Sequence, residues 1–418
     1  MKSIDTNILV IGAGASGITA AISAAQKIEQ NGINKKVALI EKSDRIGKKI
    51  LMTGNGKCNL SNENITKDNY NEAANIIEPL LNKYNSNFVK EFFGKLGLLT
   101  KADSTGRVYP YTSQASSVLD VLRVELKRLN VQTFNNVDVI LIKKKKGKFV
   151  VISSDFTFTA DKVIISVGGL ASPGKVFAGS MYDIVKKFEH AYESPFPALV
   201  PIKTNSGFEK ALKGVRWNAK ISLLHDDVKI KEEIGEVQFT EYGLSGICIF
   251  QLSRFVGEIK KRNRKAKLKI IVDLMPEYSS EEILSILKNK LKFYSNEELN
   301  SLFVGILNNK LGQAVIKQYG ALKSSINLAD LTDLQLSDIA AAIKNLEFKI
   351  TDVQTFKHAQ VMSGGFNLNE FNLKTMESLR VKGLYLTGEM LNVDGLCGGF
   401  NLHWAWVSGF VAGKSAAE

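Results

Sequence analysis

Residues 7–17 read Asn-Ile-Leu-Val-Ile-Gly-Ala-Gly-Ala-Ser-Gly, and this stretch decides the fold of the N-terminal region. The apolar run Ile8–Ile11 is typical of a buried strand, and Gly12, Gly14 and Gly17 follow it at Gly-x-Gly-x-x-Gly spacing. An alanine-rich segment then predicts a helix that begins directly after the glycines. The first glycine permits a sharp turn, the second lets a ligand approach the backbone, and the third lets the helix pack against the strand.

An acidic residue after the next strand indicates which ligand this turn binds. Glu41 closes the apolar run Val37–Ile40 and lies 24 residues after Gly17. At this position an acid can accept hydrogen bonds from ribose hydroxyls, while the helix N-terminus offers N–H groups to a pyrophosphate. An ordinary βα turn would need neither the acid nor three glycines in register. The pattern therefore predicts a dinucleotide site.

The composition is that of an ordinary globular protein, with 418 residues that are 44% hydrophobic and 23% charged. A chain of this length is expected to form two or three domains. No apolar run reaches about 18 residues, and a strand begins near residue 1, so neither a membrane span nor a signal peptide is expected. Cys58, Cys248 and Cys397 lie far apart without metal-ligand spacing, which favours a reducing, cytoplasmic location.

The formal net charge of +13 has two interpretations. Either the lysines form a solvated surface, or they face a polyanionic partner such as nucleic acid. The basic cluster Lys143–Lys148 is expected in a β-hairpin, where a solvated loop is favoured. A second, denser basic cluster lies away from the glycine motif, and its members are the candidates for contact with RNA. They are Lys260, Lys261, Arg262, Arg264 and Lys265.

Further glycine-rich segments predict that the dinucleotide is FAD. Thr53–Asn59 form a polar loop whose backbone N–H groups would line a phosphate or a flavin ring. Apolar strands end at Gly168-Gly169 and again at Gly388-Glu389, and the loop Asp394–Asn401 opens the apolar helix expected over Trp404–Ala417. A second helix N-terminus suits a pyrimidine carbonyl of an isoalloxazine ring. Since a second complete Gly-x-Gly-x-x-Gly unit is missing, NAD(P)H is expected to dock only transiently as the reductant.

The middle of the chain has a different pattern. Pro195, Pro197 and Pro201 mark a boundary, after which residues 198–273 alternate like short antiparallel strands. Residues 279–345 are mostly helical and contain two capping-box signals. We therefore predict an α/β fold in three domains. These are a Rossmann-like domain of residues 1–195 and 358–418, a β-rich substrate domain of residues 196–275 with 346–357, and a helical subdomain of residues 276–345.

Together these motifs resemble the BaiN-like, aminoacetone-oxidase-like family of FAD-dependent oxidoreductases. The similarity covers nearly the whole chain. It is carried by ILVIGAGASG (8–17), KKILMTGNGKCNLSN (48–62), ISVGGLASPG (165–174), FTEYGLSG (239–246) and LYLTGEMLNVDGLCGGFNLHWAWVSG (384–409). The resemblance implies a discontinuous FAD domain of the glutathione-reductase type, interrupted by a β-rich domain and a helical subdomain. Asn55 stands where family members often have a glycine, a departure that bears on the geometry of its loop.

The motifs and the resemblance together place the cofactor-binding residues in the glycine-rich segments. The expected residues are Gly12, Gly14, Ala15, Ser16, Gly17, Glu41, Lys42, Lys49, Thr53, Gly54, Gly56, Lys57, Cys58, Asn59, Gly168, Gly169, Gly388, Glu389, Gly398, Gly399, Phe400 and Asn401. No metal site is expected.

The resemblance leaves the substrate open, because one branch of the family is similar to a ribosomal-RNA dihydrouridine synthase and others act on small molecules. Our first hypothesis is an FAD-dependent reductase that converts a uridine of large-subunit ribosomal RNA to dihydrouridine by hydride transfer from flavin N5. The alternative is a small-molecule FAD oxidase or reductase with an amine or enone substrate. A non-catalytic flavin-binding module is the third hypothesis.

Two cysteines are candidates for the acid that such a reduction needs. Cys58 and Cys397 lie in glycine-rich loops expected at the cofactor, and a neutral thiol within reach can donate a proton. For Cys58, packing against the cofactor is the alternative role. His403 is expected to have a structural or flavin-contacting role, and Trp404 and Trp406 are expected to pack in the core.

Overall fold

The computed structural model describes residues 2–71, 73–171, 179–320 and 326–418. Its strands are β1 (Lys2–Ile11), β2 (Val37–Ile40), β3 (Ser61–Asn62), β4 (Thr100–Ala102), β5 (Arg107–Pro110), β6 (Gln132–Phe134), β7 (Val139–Lys145), β8 (Lys148–Ser153), β9 (Phe156–Ile165), β10 (Tyr192–Ala198), β11 (Ile202–Thr204), β12 (Arg216–His225), β13 (Val228–Thr240), β14 (Gly243–Ser245), β15 (Leu268–Asp273), β16 (Leu346–Val353), β17 (Val361–Phe366), β18 (Phe371–Asn372), β19 (Glu377–Ser378) and β20 (Leu384–Leu386). Its helices are α1 (Ala15–Gln30), α2 (Ala74–Lys83), α3 (Ser86–Lys95), α4 (Ala115–Arg128), α5 (Gly179–Lys186), α6 (Glu209–Leu212), α7 (Ile247–Arg262), α8 (Ser280–Tyr294), α9 (Asn309–Tyr319), α10 (Asp333–Lys344) and α11 (Phe400–Ala417). None of these helices is both long and apolar enough to span a bilayer.

The chain divides into two compact units. The first comprises Met1–Pro195 with Val361–Glu418, and the second comprises Phe196–Gln360. The first unit is thus discontinuous in sequence, with boundaries close to residues 195 and 358 of the predicted division. The finer division of the second unit into a β-rich domain and a helical subdomain stays a prediction.

A largely parallel sheet forms the centre of the first unit. Its strand order is β18-β19-β20-β9-β1-β2-β6, and the five strands from β20 to β6 run parallel. The strand registers pair Ile11 with Ile40 and with Ile165, and Ile165 in turn pairs with Leu386. Four parallel strands therefore end level with one another, so the loops that follow them begin at one edge of the sheet. The predicted α/β, Rossmann-like fold is confirmed.

Helix α11 packs closely against α1 because two of its residues have no side chain. A Cβ atom at Gly409 would lie 2.2 Å from the carbonyl oxygen of Ser16, and one at Gly413 would lie 2.1 Å from that of Ala20. This close approach brings the two helices together along much of their length. Because Gly409 meets Ser16 and Gly413 meets Ala20, the two helices run parallel and their N-termini point in the same direction.

In the second unit, six strands form a closed barrel in the order β11-β14-β13-β12-β15-β16. Apolar side chains at alternate strand positions fill it, among them Ile221, Val237, Phe239 and Phe348. Helices α8 and α10 begin at the two predicted capping boxes, in which the side chains of Ser279 and Thr332 accept hydrogen bonds from the backbone three residues on. Those two predictions are confirmed.

The expectation of strands throughout residues 198–273 is wrong over Ile247–Arg262, which form α7. Ile249, Leu252 and Val256 are fully buried at helical spacing, and Gly257 allows the helix to approach the ring of Phe196. The short apolar run at the start of this segment resembles a strand in sequence, and only its packing selects the helix. A smaller correction concerns Lys143–Lys145, which extend β7 instead of forming a solvated loop.

Candidate cofactor site

The first glycine turn has the three-part geometry expected from its spacing. Gly12 adopts a φ of +97°, and a Cβ there would lie 2.7 Å from the carbonyl oxygen of Ser166. A Cβ at Gly17 would lie 1.8 Å from the carbonyl oxygen of Gly12, whereas a Cβ at Gly14 would meet nothing within 4 Å. The outer two glycines therefore serve the turn and the packing of α1. The middle one leaves open space beside the helix N-terminus, which has no side-chain cap.

Glu41, which follows β2, lies against this turn. Its carboxylate accepts hydrogen bonds from the backbone N–H groups of Ala13 and Ser43, each at 2.8 Å. The acid is therefore fixed beside the turn by the backbone that it contacts. The neighbouring Lys42 instead forms an exposed ion pair with Asp138 at 2.9 Å.

The polar loop Thr53–Asn59 contains four residues in left-handed backbone conformations. Gly54, Asn55 and Gly56 have φ values of 55°, 53° and 81°, and Cys58 has a φ of 56°. Asparagine adopts this conformation more readily than most residues, which explains how Asn55 can stand where relatives have glycine. Apart from Cys58, these residues are exposed. Their backbone is thus open to a ligand.

A carboxylate at the end of β20 links three of the glycine-rich segments. Oε2 of Glu389 lies 2.8 Å from Nζ of Lys49 and accepts a hydrogen bond from the N–H of Gly169 at 3.2 Å. The hydroxyl of Tyr182 donates to the carbonyl oxygen of Gly168 at 3.1 Å. Nothing in the sequence pointed to Tyr182, which lies 14 residues further on in α5. Ser172–Gly174, which complete the third motif, lie outside the described residues.

The last glycine loop is held by its own asparagine. Asn401 accepts a hydrogen bond from the N–H of Gly395 and donates one to the carbonyl oxygen of the same residue, both at 2.8 Å. A Cβ at Gly399 would lie 2.7 Å from Oδ1 of Asn59, so the last loop touches the polar loop. Phe400 is buried, and its carbonyl oxygen accepts from the hydroxyl of Tyr70 at 3.0 Å. Asn401 and Phe400 therefore shape the start of α11.

Two buried acceptors at this edge lack partners in the part of the chain that the structure describes. They are Oδ1 of Asn59 and Oε1 of Glu389. A buried polar atom without a hydrogen bond costs about 1–3 kcal/mol, so each calls for a donor from elsewhere. Hydroxyl donors of a ligand satisfy such acceptors, while the uncapped N-termini of α1 and α11 suit its anionic and carbonyl groups. The residues present thus fit a dinucleotide with a polyhydroxyl chain.

The two candidate acids differ in access. Cys58 is fully buried, and burial raises the pKa of its thiol to about 12. Cys397 is half-buried, and burial raises the pKa of its thiol to about 11. Both are therefore neutral thiols near pH 7, but only Cys397 has surface that a substrate can contact.

His403 has a structural role, which is one of the two roles expected for it. Its Nε2 lies 2.8 Å from the carbonyl oxygen of Tyr84, which can only accept, so this nitrogen carries the hydrogen. Nδ1 then accepts from the hydroxyl of Ser61 at 3.0 Å. Burial lowers the pKa of His403 to about 4, which keeps the ring neutral. Trp404 and Trp406 are buried, as expected.

The second basic cluster lies in the other unit, at and just beyond the end of α7. Nζ of Lys260 donates to the carbonyl oxygens of Arg264 and Ala266, at 3.4 and 3.1 Å. Arg262 pairs with Glu258 at 2.6 Å, and Lys261 lies over the ring of Phe196. Three of the five cations are therefore engaged within the chain, and those in the last turn also complement the helix dipole.

Comparisons with known proteins agree with the motifs. Residues 6–415 match the family described as HI0933-like protein Rossmann domain. A 3-dehydro-bile acid delta(4,6)-reductase of Clostridium scindens is 37% identical over 98% of both chains. The ribosomal RNA dihydrouridine synthase of Haemophilus influenzae is 26% identical over 100% of both chains. That of Escherichia coli is 25% identical over 97% of this chain and 96% of its own.

Among solved structures, a 3-ketosteroid-delta4-(5alpha)-dehydrogenase from Rhodococcus jostii RHA1 shares the fold. The similarity has a TM-score of 0.50 at 12% identity and covers 100% of this chain and 98% of the other. Such a likeness concerns the fold alone. The family match and the 37% identical relative carry the assignment. The chain belongs to the HI0933-like Rossmann family of FAD-dependent oxidoreductases, the family that its motifs indicated.

Proposed function

We propose that this protein is an FAD-dependent reductase of a small molecule that contains a carbon–carbon double bond conjugated to a carbonyl group. The observation that supports it most is the 37% identity, over 98% of both chains, to a relative named as a delta(4,6)-reductase of a 3-dehydro-bile acid. A double bond conjugated to a carbonyl is also what is reduced when uridine becomes dihydrouridine. The more distant relatives therefore have names consistent with the same type of reaction.

The geometry of the glycine-rich loops supports a proposed set of cofactor-binding residues. We assign the pyrophosphate to the N-terminus of α1, near Ala15 and Ser16, and the adenosine ribose to Glu41. Glu389 and Asn59 have the unsatisfied acceptors for cofactor hydroxyls. When bound, FAD supplies the hydride for the reduction, and NAD(P)H is the proposed external reductant.

Cys397 is the proposed proton donor for the carbon next to the carbonyl group. Its thiol keeps its proton across the physiological range because burial raises its pKa. It lies in the loop that opens α11, and its surface is partly open. Cys58 is fully buried beside the same loops, so we assign it to packing.

A stopped-flow experiment tests the proposal. The purified protein is reduced anaerobically with NADPH or NADH and mixed with 4-androstene-3,17-dione, a conjugated enone. We expect the absorbance of oxidised flavin to return. We also expect the product to be heavier than the starting enone by the mass of two hydrogen atoms. A flavin that NAD(P)H reduces but that neither this enone nor a 3-dehydro-bile acid reoxidises would contradict the proposal.

A uridine of large-subunit ribosomal RNA remains the second candidate substrate, and the net charge of +13 favours it. We place it second because three of the five cations in its candidate binding cluster already have partners within the chain. The test is incubation of unmodified ribosomal RNA with the protein and NADPH, followed by mass spectrometry of the digest. Formation of dihydrouridine at one position would reverse the order of the two candidates.

A further inference from the structure

A small antiparallel sheet, β3-β5-β4, carries side chains toward the glycine-rich loops of the first unit. Asn62 of β3 stands opposite Arg107 of β5, and directly opposed residues of an antiparallel pair project from the same face. Tyr109 lies two residues further along β5 and therefore shares that face. The alternate residues, Val108 and Pro110, are buried on the other side. Arg107 and Tyr109 thus belong to the open face.

This open face meets both of the loops that are assigned to the cofactor. The side-chain amide of Asn62 donates to the carbonyl oxygen of Gly398 at 3.0 Å. A Cβ at Gly54 would lie 3.7 Å from Cε1 of Tyr109. Arg107 therefore projects beside the loop that contains Cys397, and its positive charge opposes the effect of burial on the pKa of that thiol.

Arg107 is half-buried, and its guanidinium makes no hydrogen bond to the residues that the structure describes, although the carboxylate of Asp103 interacts with its charge. Another cation near these loops, Lys49, is by contrast paired with Glu389. Taking a charge partly out of water without a hydrogen-bond acceptor is unfavourable, so the donors of this guanidinium can be satisfied by a ligand. A guanidinium offers five donors in a fixed plane, which suits an oxygen that is partly negative.

We propose that Arg107 binds the carbonyl oxygen of the substrate, and that Tyr109 packs against the planar conjugated system of the same molecule. The inference rests on the proposed function, because it concerns the substrate of that site. Reduction of the double bond shifts negative charge onto the carbonyl oxygen, and a fixed cation beside that oxygen stabilises the charge. An enone and a uracil both present a planar conjugated carbonyl, so the site chemistry is shared by the two candidate substrates.

The variant R107Q tests the inference, and R123Q is its matched control. Arg123 is an exposed residue of α4 that pairs with Asp120 at 3.6 Å. The FAD content of each purified variant is measured first, which reports on the cofactor site without any turnover. The dissociation constant of 4-androstene-3,17-dione is then measured for the oxidised proteins by calorimetry. Steady-state kinetics with the same enone follow.

We expect R107Q to keep its FAD, to bind the enone at least about tenfold more weakly, and to lose about 10²–10³-fold in kcat. R123Q is expected to match the unmodified protein, and R107K to lose less than R107Q. Enone binding and turnover by R107Q at the unmodified level would overturn the inference and leave the proposed function standing. Loss of FAD from both R107Q and R107K would also overturn it, because Arg107 would then serve the fold or the cofactor.

The same variants in the ribosomal-RNA assay distinguish the two sources of the carbonyl group. If only dihydrouridine formation occurs in the unmodified protein and R107Q abolishes it, the carbonyl belongs to a uracil and the inference holds. Failure of the unmodified protein with both substrates would refute the proposed function and, with it, this inference.

Discussion

Replacing Gly409 with alanine is expected to push α11 away from α1 and to weaken FAD binding. A Cβ at this position would lie 2.2 Å from the carbonyl oxygen of Ser16. Since ordinary contact begins at about 3.4 Å, one backbone must move by more than about 1 Å. Ser16 lies in the first turn of α1, which we assign to the pyrophosphate. The change therefore affects stability and cofactor affinity together.

The expected loss of stability is about 2 kcal/mol. Inserting a methyl group into a tightly packed contact costs about 1–3 kcal/mol, and a contact with backbone lies at the upper end of that range. Alanine regains about 1 kcal/mol because it favours the helix more than glycine does. The balance is a net destabilisation, accompanied by a fall in FAD affinity as the N–H groups of the α1 turn are displaced.

Gly94→Ala is the matched control, because Gly94 lies within α3 and a Cβ there would meet nothing within 4 Å. The same substitution at this site is expected to stabilise the protein by up to about 1 kcal/mol. Urea unfolding of both variants gives the free energies, and quenching of flavin fluorescence gives the FAD dissociation constants. A Gly409→Ala variant as stable as Gly94→Ala, with unchanged FAD affinity, would refute the close-packing argument.

Three further predictions concern single side chains. Glu389→Gln removes the charge that Lys49 faces. We expect it to raise the FAD dissociation constant about tenfold, because a charged hydrogen bond is lost. An unchanged dissociation constant in a fluorescence titration would count against the assignment of Glu389 to the cofactor site. Burial lowers the pKa of His403 in the folded protein to about 4, from the ordinary value of 6.5. As the pH falls from 6.5 to about 4, the unfolded chain therefore binds a proton at this residue that the folded protein does not bind. Stability should therefore decrease by up to about 3 kcal/mol from pH 7 to pH 4, and His403→Gln should flatten this dependence in urea unfolding. Cys397→Ser should keep FAD and slow enone reduction by about 10²–10⁴-fold, and turnover at the unmodified rate would exclude the thiol as the proton donor.

The parts of the fold that could be predicted are those whose signals are local. The strand, glycine turn and helix around Gly12 are specified within about 25 residues, because each glycine has a steric reason to be there. The capping boxes at Ser279 and Thr332 are likewise four-residue signals. In both cases neighbouring residues suffice to select the conformation.

Other features depend on contacts between distant residues. Helix α7 was missed because its apolar start resembles a strand, and its burial against the barrel becomes visible only in three dimensions. Barrel closure by pairing of β11 with β16 joins residues that are far apart in the sequence. Within the site, the difference between buried Cys58 and half-buried Cys397 has no counterpart in the sequence, where both are cysteines in glycine-rich loops. The position of Arg107 beside these loops could be found only from the register between β3 and β5.

The discontinuity of the first unit has a consequence for the order of events on the ribosome. The turn around Gly12 is synthesised early, but Glu389 and the helix that covers α1 follow the 165 residues of the second unit. At about 5–20 residues per second, the ribosome needs on the order of 10–30 s to translate those residues. During that interval α1 lacks its covering helix, which leaves apolar surface of the nascent first unit exposed. Flavin uptake then comes last, after both segments of the first unit have emerged.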